Sequence, residues 1–122
     1  MDSLRSGSLH IAVAEDAPPD WLRLSWLGKS NDRHPERVLE PFFDHVLSDA
    51  ARRHAGIEMH FEHLSHFNSS TIGYLVRLIQ ETQRRAIKLT LVFNGNLPWQ
   101  KVSFDALRVF ARDNEMLKLE AS

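Results

Sequence analysis

The chain contains no cysteine. That excludes a disulfide frame, a thiol nucleophile and a thiolate metal site. No apolar run approaches the ~18 residues that a membrane-spanning helix needs. The first twenty residues, MDSLRSGSLHIAVAEDAPPD, hold no hydrophobic segment long enough for a secretory signal. Neither charge is in excess: 15 Lys and Arg stand against 16 Asp and Glu, for a net charge of -1. No electrostatic footprint for nucleic acid or an anionic membrane is visible. Internal repeats and low-complexity segments are absent too. What is there is 122 residues, 43% hydrophobic and 25% charged. That is the balance of one compact cytoplasmic domain, too short for two ordinary ones.

The hydrophobic pattern alternates between two periods. Residues 1–7 read as a flexible N-terminal arm, and the domain runs over 8–122. Leu9, Ile11 and Val13 alternate and predict a strand over 8–14. EDAPPD turns the chain, and WLRLSWL, 21–27, predicts the second arm of a hairpin. A polar connection follows over 28–37. Phe42, Phe43, Val46, Leu47 and Ala50 have helical spacing over 40–54, with Pro41 in the first turn. Ile57, Met59 and Phe61 alternate with Glu58, His60 and Glu62, which predicts a strand over 56–64 with one wet face. Asn68 is a good helix cap, and Ile72, Leu75, Val76 and Ile79 form an apolar stripe over 68–85. A strand over 87–95, a turn over 96–100, a helix over 102–113 capped by Ser103 and a strand over 115–121 complete the chain. The order ββαβαβαβ predicts an α/β domain. Its mixed sheet has about five strands, and its three or so helices pack mainly on one face, with right-handed parallel crossovers.

Two groups of residues carry candidate chemistry. The first is His60, His63 and His66, in HFEHLSHF. On a strand, His60 and His63 point to opposite faces, and three imidazoles at this spacing converge only on a helix. The residues read first as surface histidines around a strand end. A zinc site lacks a visible second shell. A hydrolase using Ser69 or Ser70 with His66 as base lacks both a GxSxG elbow and a group to orient the base. The second group is Asn68, Ser69, Ser70 and Thr71. Small polar residues suit a helix start, and a hydroxyl there is also well placed to carry phosphate beside free backbone N–H groups. Tyr74, Arg77, Gln80, Glu81 and Arg84 fall on the polar side of the same helix. Trp99, in a Pro-Trp turn, is expected to pack under that turn as a satellite of the core.

The segment IEMHFEHLSHFNSSTIGYLVRLIQETQRRAIKLTLV resembles the strand–turn–helix–strand centre of the STAS domain, the fold of bacterial anti-sigma-factor antagonists. In that family the helix opens on Asp-Ser-Ser/Thr-Gly. Here the corresponding residues are Asn68, Ser69, Ser70 and Thr71. The match is closer to a STAS-like subgroup with Asn-Ser-Ser and a downstream Pro-Trp-Gln, as in NLPWQKVSFDALRVF. The resemblance implies a non-enzymatic partner-switching module without a cofactor. Its expected partner is a regulatory serine kinase or an anti-sigma-like protein; separately, edge strands or an exposed Trp99 could support a homodimer. Ser69 takes the position of the phosphoacceptor, with Ser70 and Thr71 as lesser candidates. Asn68, Ser70, Thr71, Tyr74 and Arg77 are the expected cap and partner-binding residues. Two departures stand out. Asn68 keeps the capping oxygen without the charge, and Thr71 puts β-branched bulk where the family has glycine. An adaptor of the same fold with no covalent switch is the alternative.

Overall fold

The computed structural model describes all 122 residues. In chain order the elements are β1 (Leu4–Ser6), β2 (Leu9–Val13), β3 (Trp21–Ser30), α1 (Glu36–Arg53), β4 (Gly56–His60), β5 (Leu64–Phe67), α2 (Ser69–Arg84), β6 (Leu89–Phe93), α3 (Pro98–Leu107) and β7 (Leu117–Ala121). A 3-10 turn, Arg108–Ala111, extends α3. The sheet order is β1-β2-β3-β4-β6-β7, with β5 paired to the far end of β3. β1, β2 and β3 are antiparallel, and every later pairing is parallel. No helix is long and apolar enough to cross a membrane.

The expected class holds, and two short strands add to the five expected. The first lies within residues 1–7, expected as a flexible arm: Leu4 to Ser6 pair with Ile11 to Leu9. The second comes from the stretch expected as one strand over 56–64. Phe61 keeps the inward alternation, but the chain turns after it, and the Leu64 N–H donates to the Phe61 carbonyl at 3.0 Å. β5 then resumes beside β3, whose register shifts between Gly28 and Lys29. Gly28 is required at that bulge. Its φ is +82°, and a Cβ would lie 1.9 Å from the Ser8 carbonyl oxygen.

Prolines moved two helix starts from their expected places. Pro35 occupies the cap position of α1, so the helix begins four residues early and Pro41 lies inside it, at the cost of one backbone bond. Pro98 opens α3, where its missing N–H is harmless. The expected turn over 96–100 is therefore half helix, and Ser103 is mid-helix rather than a cap.

One sheet face is apolar and carries all three helices. Leu22, Leu24 and Trp26 of β3, Ile57 and Met59 of β4, and Leu89, Leu91 and Phe93 of β6 are buried there. An aromatic chain ties the layers. Trp26 stacks on Phe43 of α1 at 5.9 Å and meets Phe61 at 5.0 Å. Phe61 meets Phe104 of α3 at 4.9 Å, and Phe104 stacks on Phe93 at 5.0 Å. The Trp26 indole nitrogen is the one buried side-chain polar atom without a partner. The other sheet face is uncovered and carries Arg23, Ser25, Glu58, His60, Lys118 and Glu120.

Candidate functional site

α2 begins at the carboxyl edge of the parallel strands, directly after β5. This is the edge where open α/β sheets commonly place ligands. Asn68 has an extended backbone, φ -91° and ψ 175°, and caps the helix. Its Oδ1 accepts from the Thr71 N–H at 2.9 Å and from the Thr71 hydroxyl at 2.8 Å. Its Nδ2 donates to the Asp32 carbonyl at 2.8 Å, and its own N–H donates to the Ser30 carbonyl at 3.0 Å. With the Thr71 proton committed to Asn68, the buried Ser30 hydroxyl donates to Thr71 Oγ1, at 2.7 Å. Both ends of the Asn68 amide are thus used inside the molecule, tying the α2 start to β3 and to the loop before α1.

The expected site residues separate into two groups. Ser69 and Ser70 are exposed on the first turn, and Arg77 is exposed two turns on. Thr71 is fully buried. Its bulk faces β3, not an approaching partner, and its hydroxyl is inaccessible for modification. Tyr74, expected on the polar side, is also buried, at 6.1 Å from the Phe43 ring. Burial, then the Glu40 and Asp44 carboxylates, push its phenol pKa far above the usual value. Arg77 covers the Tyr74 ring at 5.7 Å and lies 3.8 Å from Glu40.

An aspartate would fit position 68 less well than Asn68 does. A carboxylate there would keep the capping oxygen but set its second oxygen against the Asp32 carbonyl. Asn68→Asp is expected to destabilise the fold by about 1–2 kcal/mol, because a donated bond becomes a repulsion that the helix dipole offsets only in part. Urea denaturation at pH 7 measures this, and a variant as stable as the parent would show that the tie to Asp32 contributes nothing.

A second set of hydrogen bonds is centred on Gln100, which is not among the expected site residues. The Gln100 side chain is completely buried. Its Nε2 donates to the Phe61 carbonyl at 2.6 Å and the Leu64 carbonyl at 3.2 Å, and its Oε1 accepts from the Asn94 N–H at 2.8 Å. One amide therefore holds the turn between β4 and β5 and the end of β6. Beside it, Trp99 is half-buried, with its ring edge-on to Phe67 at 5.2 Å and 6.3 Å from His66. The only signal for this in the sequence was Pro-Trp-Gln itself.

The three histidines do not converge. His60 lies on the uncovered sheet face, between two carboxylates. Its Nδ1 is 3.0 Å from Glu62, and its Nε2 contacts Glu58, which also pairs with Arg23 at 3.1 Å. Both ring nitrogens are engaged, so neither is free to act as a base. His63 is exposed in the turn, and His66 is exposed on β5. No group of three His, Asp or Glu side chains is placed to hold a metal ion.

Burial pushes the Glu58 carboxyl up, but the His60 hydrogen bond and charge, with those of Arg23, hold it below its ordinary value. A depressed carboxyl adds stability above its unfolded pKa of about 4.3 and loses it as pH falls through the folded value. Glu58→Gln is expected to flatten the acid limb of the stability profile below about pH 4.5. Denaturation midpoints against pH check this. Parallel acid limbs in the two proteins would rule the contribution out.

No protein-family model matches the chain, and no curated protein matches it. Among solved structures it is similar to an uncharacterized protein of the DUF3478 family from Shewanella loihica PV-4, described as having a SpoIIAA-like fold. The TM-score is 0.59 at 13% identity, over 98% of this chain and 92% of the other. At that identity the likeness concerns architecture alone, and by architecture the chain has a SpoIIAA-like fold of the STAS type.

Proposed function

We propose that the chain is a non-enzymatic, cytoplasmic regulatory module of the STAS type that binds a protein partner through the start of α2. The supporting observation is the exposed pair Ser69–Ser70 on the first turn of a helix whose cap is locked to β3. The expected partner is a regulatory serine kinase or an anti-sigma-like protein. Ser69 is the phosphoacceptor in this reading, with Ser70 its neighbour and Asn68 in place of the family's aspartate, as in the Asn-Ser-Ser subgroup with a downstream Pro-Trp-Gln. A phosphate there meets the positive end of the helix dipole, so it changes the surface charge without opposing the fold.

One observation favours the alternative of an adaptor without a covalent switch. The residue before Ser69 is an amide, not a carboxylate, and it is fully committed inside the molecule. The two readings separate on one experiment. The tagged protein is purified from its own cells with its partners, and its intact mass is measured. In the switch, Ser69→Asp weakens the partner at least about tenfold, some 1.4 kcal/mol, while Ser69→Ala retains it. A bait fraction about 80 Da heavier at Ser69 accompanies the loss. A stable partner indifferent to Ser69→Asp, on an unmodified bait, leaves the adaptor.

A further inference from the structure

β7 is the last strand of the sheet, with β6 on one side and no strand on the other. In a parallel ladder, alternate residues of a strand turn their main-chain groups to the same neighbour. The Leu89 N–H donates to the Met116 carbonyl at 2.8 Å, and the Ser122 N–H donates to the Phe93 carbonyl at 2.7 Å. Leu89 is in register with Leu117 and Phe93 with Ala121, so the main-chain groups of Lys118 and Glu120 also face β6. Those of Leu117, Leu119 and Ala121 point outward. The Leu117 N–H is taken by the Asn114 carbonyl at 3.2 Å. The Leu119 carbonyl accepts from Arg108 Nη1 at 3.4 Å, a long bond that leaves its second lone pair free. The Leu117 carbonyl, the Leu119 N–H and both groups of Ala121 have no partner in the chain. Such an edge is often blunted by a proline or a bulge. β7, LKLEA, has no proline, and its register with β6 is unbroken.

The side chains of this strand are complementary to themselves. Leu117 and Leu119 are buried under the helices, whereas Lys118 and Glu120 stand exposed on the uncovered sheet face, 2.9 Å apart. Opposite residues of an antiparallel pair share a face, so a second β7 meets the first only in registers that keep the charged residues on that face. One such register sets Lys118 against Lys118 of the other copy, and another sets Glu120 against Glu120. The register centred on Leu119 facing Leu119 sets Lys118 opposite Glu120, twice. There each Leu119 N–H donates to the Leu119 carbonyl of the other copy, and each Ala121 N–H donates to its Leu117 carbonyl. Lys118 and Glu120 then form a non-hydrogen-bonded pair, the kind whose side chains lie closest. Each Arg108 keeps its bond to its own Asp105 at 3.1 Å, on the helix side of the sheet.

We propose that β7 pairs antiparallel with β7 of a second copy of this chain, about a twofold axis through Leu119, so that two sheets become one. The site at Ser69 takes no part in the argument, and either inference can fail alone. One short strand per copy buries well under the ~1,200–2,000 Å² of a stable interface. The dimer is accordingly weak, with a Kd in the range of about 50–500 μM.

Sedimentation equilibrium from about 10 μM to 1 mM spans that range. The wild-type protein is expected to show a monomer–dimer equilibrium. Lys118→Glu and Glu120→Lys are each expected to raise Kd at least tenfold with an unchanged far-UV circular dichroism spectrum, because each homodimer then opposes like charges. Their equimolar mixture is expected to dimerise, since one variant then presents only acidic and the other only basic side chains at these positions. Amide hydrogen exchange at Leu119 and Ala121, free in the monomer, is expected to slow as the wild-type concentration rises through Kd. A wild-type protein monomeric over the whole range overturns the proposal, as does a dimer indifferent to both charge variants or one in which exchange at Leu119 does not slow. Charge variants that are monomeric alone and fail to associate when mixed overturn the antiparallel register.

Discussion

Gln100→Leu is expected to lower the unfolding free energy by about 2–4 kcal/mol, the cost of taking this partner from the buried Asn94 N–H and Leu64 carbonyl and leaving the Phe61 carbonyl with the Leu64 N–H alone. Leucine fills nearly the same space but can neither donate to the Phe61 and Leu64 carbonyls nor accept from the Asn94 N–H. Gln100→Glu sharpens the result. It retains the acceptor for Asn94 but turns a carboxylate towards two carbonyls, so it should be no more stable than the leucine variant. Chemical denaturation of both proteins decides the matter. A loss below about 1 kcal/mol for Gln100→Leu would mean that water or a shifted turn satisfies the same groups without the amide. Because the turn leads straight into β5 and Asn68, amide hydrogen exchange in residues 61–68 should quicken more than in α1.

Phe61→Ala is expected to cost about 3–5 kcal/mol, the range for removing a fully buried ring from a core that cannot close over it. The ring is the joint between two parts of the molecule. Trp26, and through it Phe43 on α1, lies on one side, while Phe104 and Phe67 lie on the other, at 4.9 and 6.4 Å. No neighbour can collapse into the gap without breaking its own stack. Phe61→Leu should cost much less, about 1–2 kcal/mol, since most of the volume remains. The losses for Phe61→Ala and Phe104→Ala should not add, because the two rings touch. Thermal or urea unfolding of the two single variants and the double variant tests all three statements. Simple additivity would show that the aromatic chain is a row of independent contacts.

Much of this architecture was legible in the residues, for physical reasons that also explain what was not. The strands β2, β3, β4, β6 and β7 and all three helices announce themselves because burying one face imposes a period on the apolar residues. β1 has no such period. Leu4, Arg5 and Ser6 are held by pairing with β2, which local sequence does not report. The break between β4 and β5 was hidden because Phe61 and Leu64 are both apolar and the turn uses neither glycine nor proline. Tyr74 looked like surface because its ring is amphipathic, whereas the wall that Phe43 provides is a tertiary fact. At the site, the cap at Asn68 follows from residue type alone, but the use of both ends of its amide depends on where β3 places Ser30 and Asp32. A buried glutamine has no periodic signature, so Gln100 became visible only with the carbonyls it serves.

The tie at Asn68 also governs how the chain ages. Asparagine before a small residue such as Ser69 is chemically labile, because the following backbone nitrogen can attack the side-chain amide and expel ammonia, giving a cyclic imide that water opens to aspartate or its isomer. Here that attack requires the amide to swing away from Thr71 and Asp32, breaking every bond the side chain makes. While the helix start is intact the reaction is suppressed. Each fraying of the first turn reopens it, and each turnover leaves a residue that fits the Asp32 carbonyl less well. A slow mass gain at this one position in stored protein would therefore be a clock for how often the start of α2 comes undone.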